Sequence, residues 1–316
     1  LNKEKLVVII GPTAVGKTQI SIDLAHRLNG EIISGDSMQL YRGMDIGTAK
    51  IKTHEMEGIP HHLIDIKEPD EGFSVAEFQS MVRPLIRQIS ERDKFPMIVG
   101  GTGLYIQSVI YDYQFSEAPS DPSYRSHLEE RLKNEGELAL HKELSTVDPI
   151  AAHKVHPNNS RRVIRALEIH HCTNKTMTEY ITSQTEEALY DVALVGLTMD
   201  REVLYNRINS RVDMMIEEGL VDEVKRLYDK GLRNTQAIQA IGYKELYDYF
   251  DGKLSLDDAI NLLKQNSRRY AKRQLTWFRN KMNVKWFDMT PQINYHEKVE
   301  EIFTYLAGKL QLKSNK

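Results

Sequence analysis

The residues Gly11-Pro12-Thr13-Ala14-Val15-Gly16-Lys17-Thr18 satisfy every specified position of the pattern G-x-x-x-x-G-K-[ST]. Glycines at that spacing let backbone N–H groups curl around a phosphate chain at a helix N-terminus, where the helix dipole also favours negative charge. Lys17 adds a mobile point charge, and the Thr18 hydroxyl is a ligand for Mg²⁺. Further along, Asp36 follows a second apolar run, either as a general base or as a turn aspartate. Gly100-Gly101-Thr102-Gly103 reads as a second phosphate-facing turn with Thr102 as its donor. Arg207 and Arg211 lie four apart on one helix face, placed either to close over phosphates or as an ordinary solvated pair. The phosphate loop alone does not say which phosphate it holds, since kinases, NTPases and other transferases share it.

These side chains need strands that end near one another. Leu6–Ile10, Glu31–Ser34, His61–Ile66, Phe95–Val99, Asp191–Met199 and Trp286–Met289 are short apolar runs of strand type. Helical periodicity lies between them, including Phe73–Ile89 across Pro84. This alternation predicts an α/β fold with a parallel sheet flanked by helices, and puts ligands at the carboxyl ends of the strands. Asp65 sits where an acidic partner to the phosphate loop would stand, and the polar loop Tyr41–Lys50 reads as a substrate loop. His61 and His62 lack a third ligand at recognisable spacing and read as structural.

From Pro119 to about Tyr190 the pattern turns wholly helical and charged, so the core is expected over 1–118 and 190–316, with an all-helical insertion over 119–189. Within the insertion, Arg161, Arg162 and Arg165 either face RNA phosphates or form a solvated helix face. Ser255 and Asp258 open a long helix to about Met282, carrying eight Lys/Arg and no acidic residue between Lys264 and Lys285. On a helical wheel Ile260, Leu263, Tyr270, Ala271, Leu275, Trp277, Phe278 and Met282 share one side. Arg268, Arg269, Lys272, Arg273 and Arg279 share the other, a basic stripe suited to nucleic-acid phosphates.

Composition bounds the rest. The 316 residues are 41% hydrophobic and 28% charged, enough for an α/β domain and a second unit. The net charge of -3 excludes a uniformly basic protein, so any nucleic-acid partner must be met by a local stripe. One cysteine, Cys172, excludes an internal disulfide framework and a multi-cysteine zinc site, which suits a reducing, cytoplasmic setting. Neither a signal peptide nor a membrane-length apolar run is read.

Taken together, GPTAVGKT, ISGDSMQLYRGMDIGTAK, HHLIDI, VGGTGLY, HPNNSRRVIRALE, QAIGYKEL and KRQLTWFRN closely resemble the bacterial tRNA dimethylallyltransferases, also called tRNA isopentenyltransferases. The resemblance implies a P-loop NTPase-like core and transfer of a dimethylallyl group from dimethylallyl diphosphate, with Mg²⁺, to N6 of the adenosine 3′ to the anticodon. It implies that Gly11 to Thr18 hold the prenyl diphosphate, that Asp36 is the base and that Thr102 touches substrate. It assigns contacts with the tRNA anticodon stem-loop to Asp36, Ser37, Met38 and Gln39, to Ser160, Arg161, Arg162, Val163 and Ile164, to Gln239, Ala240, Ile241, Gly242, Tyr243 and Lys244, and to Lys272, Arg273, Gln274, Trp277 and Arg279. A monomer without a zinc finger or membrane partner is expected. A small-molecule kinase or an isopentenyltransferase acting on free adenine nucleotide shares the loop and Asp36 but needs no basic helix. A non-catalytic RNA-binding NTPase module needs the stripe but neither Asp36 nor Thr102.

Overall fold

Strand β1 (Lys5–Ile10) is buried along nearly its whole length, as a strand covered by helices on both faces must be. In the computed structural model, which describes residues 3–113, 121–182, 187–291 and 294–312, it lies within a six-stranded parallel sheet. The other strands are β2 (Gly30–Ser34), β3 (His61–His62), β4 (Phe95–Gly100), β5 (Asp191–Thr198) and β6 (Lys285–Asp288), in the order β3-β2-β4-β1-β5-β6. The ladder register Ile10↔Gly100 brings the carboxyl ends of β4 and β1 level, while Ile10↔Gly196 leaves β5 running two residues further, to Thr198.

The first compact unit comprises Leu1–Ile110 and Ala188–Lys316. Before the junction it holds helices α1 (Lys17–Leu28), α2 (Val75–Ser90) and α3 (Gly103–Ile110). The second unit, Tyr111–Glu187, contains α4 (Pro122–Glu135), α5 (Glu137–Val147), α6 (Pro149–Lys154), α7 (Ser160–Thr173) and α8 (Met177–Thr182). The first unit resumes with α9 (Arg201–Glu217), α10 (Leu220–Asp229), α11 (Tyr243–Phe250), α12 (Leu256–Lys281) and α13 (Tyr295–Lys309). The expected boundary near Pro119 lies outside the described residues.

Local chemistry accounts for the helix ends. Ser74 accepts from the Glu77 amide to start α2, Asp200 accepts from Glu202 and Val203 to start α9, and Ser255 accepts from Asp258 to start α12. The core of the first unit packs Val7, Ile9, Ile32, Met97, Val195 and Leu197 of the sheet against Ile20, Leu24, Leu204, Ala271 and Ile302. The second unit has its own core, built from Leu128, Leu140, Leu144, Val155, Val163, Ile164 and Leu167. There the fully buried Glu168 carboxylate is met by Arg125 at 2.7 Å and Arg165 at 2.6 Å.

One expected element differs. The run His61–Ile66 is a strand only at His61–His62, because Leu63 and Asp65 take positive φ (63° and 54°) and turn the chain out of the sheet. Asp65 consequently faces Lys50 Nζ at 2.5 Å and is not the acidic partner of the phosphate loop. Helix α7 begins at Ser160, and Asn159 before it makes no side-chain cap.

Candidate active site

The phosphate loop links β1 to α1, as its pattern predicts. Gly16 is required by conformation, with φ 104° and open space where a Cβ would stand, whereas Gly11 is required by space, since a Cβ would meet the Leu197 carbonyl at 2.7 Å. Ala14 is held at φ 65°, a left-handed conformation that costs an L-residue about 1–2 kcal/mol. Ala14 and Val15 are buried, so the loop presents backbone rather than these side chains. Lys17 Nζ folds across the loop and donates to the carbonyls of Gly11 (3.0 Å) and Pro12 (2.8 Å). Thr18 is exposed in the first turn of α1.

Asp36 follows β2, and its carboxylate accepts the Met38 amide at 2.8 Å. Thr102 follows β4, and its hydroxyl oxygen accepts the Ser37 amide at 3.2 Å, tying the two post-strand turns together. Three charges converge here. Burial pushes Lys17 down to about 8, against the pull of Asp36, and the Arg211 guanidinium pushes the same way as burial. Burial pushes the Asp36 carboxyl above the ordinary carboxylate range, more than the Met38 amide and Lys17 pull it back. Burial, with its neighbour Arg207, likewise lowers the pKa of the Arg211 guanidinium below its ordinary value, and the group stays charged. A lysine with a depressed pKa beside a carboxylate with a raised one is an arrangement suited to anion binding and proton removal.

The glycines of Gly100-Gly101-Thr102-Gly103 are required by space. None has positive φ, and a Cβ would strike the Gly35 backbone at Gly100, the Gln274 side chain at Gly101 and the Trp277 ring at Gly103. They allow α12 and the post-β2 turn to approach closely.

Several residues assigned to tRNA through the resemblance are occupied otherwise. Gln39 donates to the carbonyls of Thr48 and Ala49, and Gln274 is buried between the phosphate loop and Gly101. Val163 and Ile164 are core side chains of the second unit, which leaves Arg161 and Arg162 exposed on α7 while Arg165 is committed to Glu168. In the Gln239–Lys244 stretch, Gln239 is exposed and Ile241 and Lys244 are half-buried. Ala240 is buried there, Gly242 turns the chain at φ 100°, and Tyr243 is fully buried with its hydroxyl donating to Glu223 at 2.6 Å. On α12, Lys264 pairs with Asp213 at 2.6 Å and Arg268 donates to Asn209 at 2.5 Å, so these two members of the stripe brace α9. Arg269, Lys272, Arg273 and Arg279 remain exposed, with Arg273 over Tyr270 and Arg279 over Trp286.

Glu223 is a site residue that the sequence reading did not single out. Its carboxylate, buried on the Leu220–Val224–Leu227 face of α10, accepts the amides of Asp45, Ile46 and Gly47 at 2.8–3.0 Å. A lone carboxylate on an apolar helix face was the available signal. It fixes the Tyr41–Lys50 loop, which Lys50 braces from within through Asp45, Asp65 and the Tyr41 carbonyl. His62 is likewise spent on structure, 2.8 Å from the Glu31 carboxylate.

A parallel sheet whose central strand runs through a glycine-lysine loop into a helix, with Thr102 and Asp36 after the next two strands on one side, defines a P-loop-type α/β protein. A family model described as IPP transferase matches residues 39–281. The chain is 65% identical over 312 residues to a tRNA dimethylallyltransferase of Geobacillus thermodenitrificans, covering 99% of each, and 62% identical over 311 residues to that of Bacillus subtilis, covering 98% of this chain and 99% of the relative. Among solved structures it is similar to the full-length tRNA isopentenylpyrophosphate transferase of Bacillus halodurans, at 58% identity and TM-score 0.76, over 98% of this chain and 97% of that one. It is also similar to a eukaryotic dimethylallyltransferase acting on tRNA, at 32% identity and TM-score 0.81, over 94% and 77% of the two chains. The chain belongs to the IPP transferase family.

Proposed function

We propose that this protein modifies tRNA by transferring the dimethylallyl group of dimethylallyl diphosphate to N6 of the adenosine 3′ to the anticodon. The observation that carries the reading is the electrostatic coupling of Lys17 and Asp36, which follow the carboxyl ends of β1 and β2, in a family member. The N6 lone pair forms a bond to C1 of the allyl group as the C1–O bond breaks and diphosphate leaves. The loop amides, Lys17 and Arg211 stabilise the charge on the leaving oxygens. Asp36 accepts the N6 proton, and Thr102 keeps the Asp36–Met38 turn in place through the Ser37 amide.

Magnesium fits this site as a companion of the diphosphate. The exposed Thr18 hydroxyl is positioned to hold it, and the described residues contain no cluster of three acidic, histidine or cysteine side chains that would bind it alone. When bound, it neutralises charge on the leaving diphosphate. The exposed Lys272 and Arg273 on α12, with Arg161 and Arg162 on α7, offer charge for tRNA phosphates. No helix among the described residues is long and apolar enough to cross a membrane, and we read the enzyme as a cytoplasmic monomer.

Labelled dimethylallyl diphosphate or labelled ATP, each with tRNA, AMP or neither, tests the proposal. Label from dimethylallyl diphosphate should pass to tRNA alone. Transfer to AMP would move the acceptor to free nucleotide, and transfer from ATP would make the protein a kinase.

A further inference from the structure

Gln274 is buried on α12, directly after the exposed Lys272 and Arg273 in the chain, and both ends of its amide are used. Its oxygen accepts the Thr13 amide of the phosphate loop at 3.0 Å, and its nitrogen donates to the Gly101 carbonyl at 3.1 Å. Gly101 has no room for a Cβ because that amide stands there. A carboxamide held in this orientation accepts on one side and donates on the other, and neither an ionised carboxylate nor an apolar side chain of the same size can do both. We infer that Gln274 is a positioning residue for the donor: it sets the Thr13 peptide, and with it the curvature of the diphosphate cradle, and it does not contact tRNA.

The inference rests on the proposed prenyl transfer and makes a distinction that a basic-helix reading does not. Gln274→Glu preserves size but turns a donor into an acceptor facing the Gly101 carbonyl, and adds negative charge beside a loop that must hold a diphosphate. Gly101→Ala leaves Gln274 in the chain and displaces its amide.

The test uses the full-length enzyme with dimethylallyl diphosphate and tRNA, alongside calorimetric binding of inorganic pyrophosphate and melting curves. Both variants should raise KM for the donor, and Kd for pyrophosphate, by about tenfold or more, the effect of one unmade buried hydrogen bond, with KM for tRNA within about twofold. Gln274→Met, uncharged and close in size, should fall between them and the parent, and stands in if Gln274→Glu does not fold. A raised KM for tRNA with donor KM unchanged would overturn the inference in favour of an RNA contact. Unchanged KM values with a lowered Tm would reduce Gln274 to a packing residue. Failure of the parent itself to prenylate tRNA would count against the proposed function, while the pyrophosphate measurement would still judge Gln274.

Discussion

The Asp36 carboxylate serves as a turn acceptor for the Met38 amide and stands beside Lys17, so a structural and a chemical role occupy one side chain. Asp36→Asn retains an acceptor for Met38 but cannot take a proton. Single-turnover transfer at saturating donor and tRNA should fall by roughly 10²–10⁴-fold, with Tm little changed. A fall below about tenfold would remove Asp36 from the chemistry. The pH profile carries a second expectation. A base must be ionised, and burial raises the Asp36 pKa, so kcat falls as pH drops through a value above the ordinary carboxylate range. On the alkaline side Lys17 loses its charge as pH rises past about 8, so kcat/KM for the donor falls there. Bound diphosphate favours the ammonium, so kcat itself should hold to higher pH. Lys17→Arg should abolish the alkaline limb, measured as kcat/KM against pH.

Helix α12 shows how an element divides its labour among faces. Lys272→Ala should weaken tRNA binding and reduce the slope of log K against log salt by about one phosphate contact. Arg268→Ala, in contrast, removes a partner of Asn209 and should lower Tm while leaving the salt slope unchanged. Equal slopes for Lys272→Ala and the parent would mark that face as merely solvated. The wheel separated apolar from basic positions correctly, yet it could not tell Arg268 from Lys272, because what distinguishes them is the neighbouring α9, a partner remote in sequence. The same limit explains the other differences. The phosphate loop and the positions of Asp36 and Thr102 were legible because strand, turn and helix signals are local. That Gly101 and Gly103 exist for Gln274 and Trp277 required knowing that α12 crosses the turn after β4. The truncated β3 hides in Leu63 and Asp65: aspartate tolerates positive φ, but leucine ordinarily avoids it and here adopts it under tertiary constraint. Glu223→Gln tests one such constraint. Loss of its charge should loosen the amides of residues 45–47, visible as faster hydrogen exchange there, and slow transfer by less than Asp36→Asn does.

At the scale of the molecule, each unit carries its own buried core, which frames the division of function between them. Replacing Ser120 to Glu187 with a short Gly/Ser bridge should preserve pyrophosphate binding by the first unit and reduce tRNA affinity. Loss of both would make the segment part of the core. The sheet order also governs how the protein is made. On one side β1 pairs with β4, but on the other its partner is β5, where Lys5 meets Asp191 only after the whole helical unit has been synthesised. At about 5–20 residues per second, the emerging chain carries one of its most apolar strands with an open edge for roughly 10–40 seconds. Such an edge is a template for intermolecular pairing. Nascent chains halted before β5 should therefore be protease-sensitive and prone to aggregate, and chains halted after it should be resistant, so the order of the strands sets a window of vulnerability during synthesis.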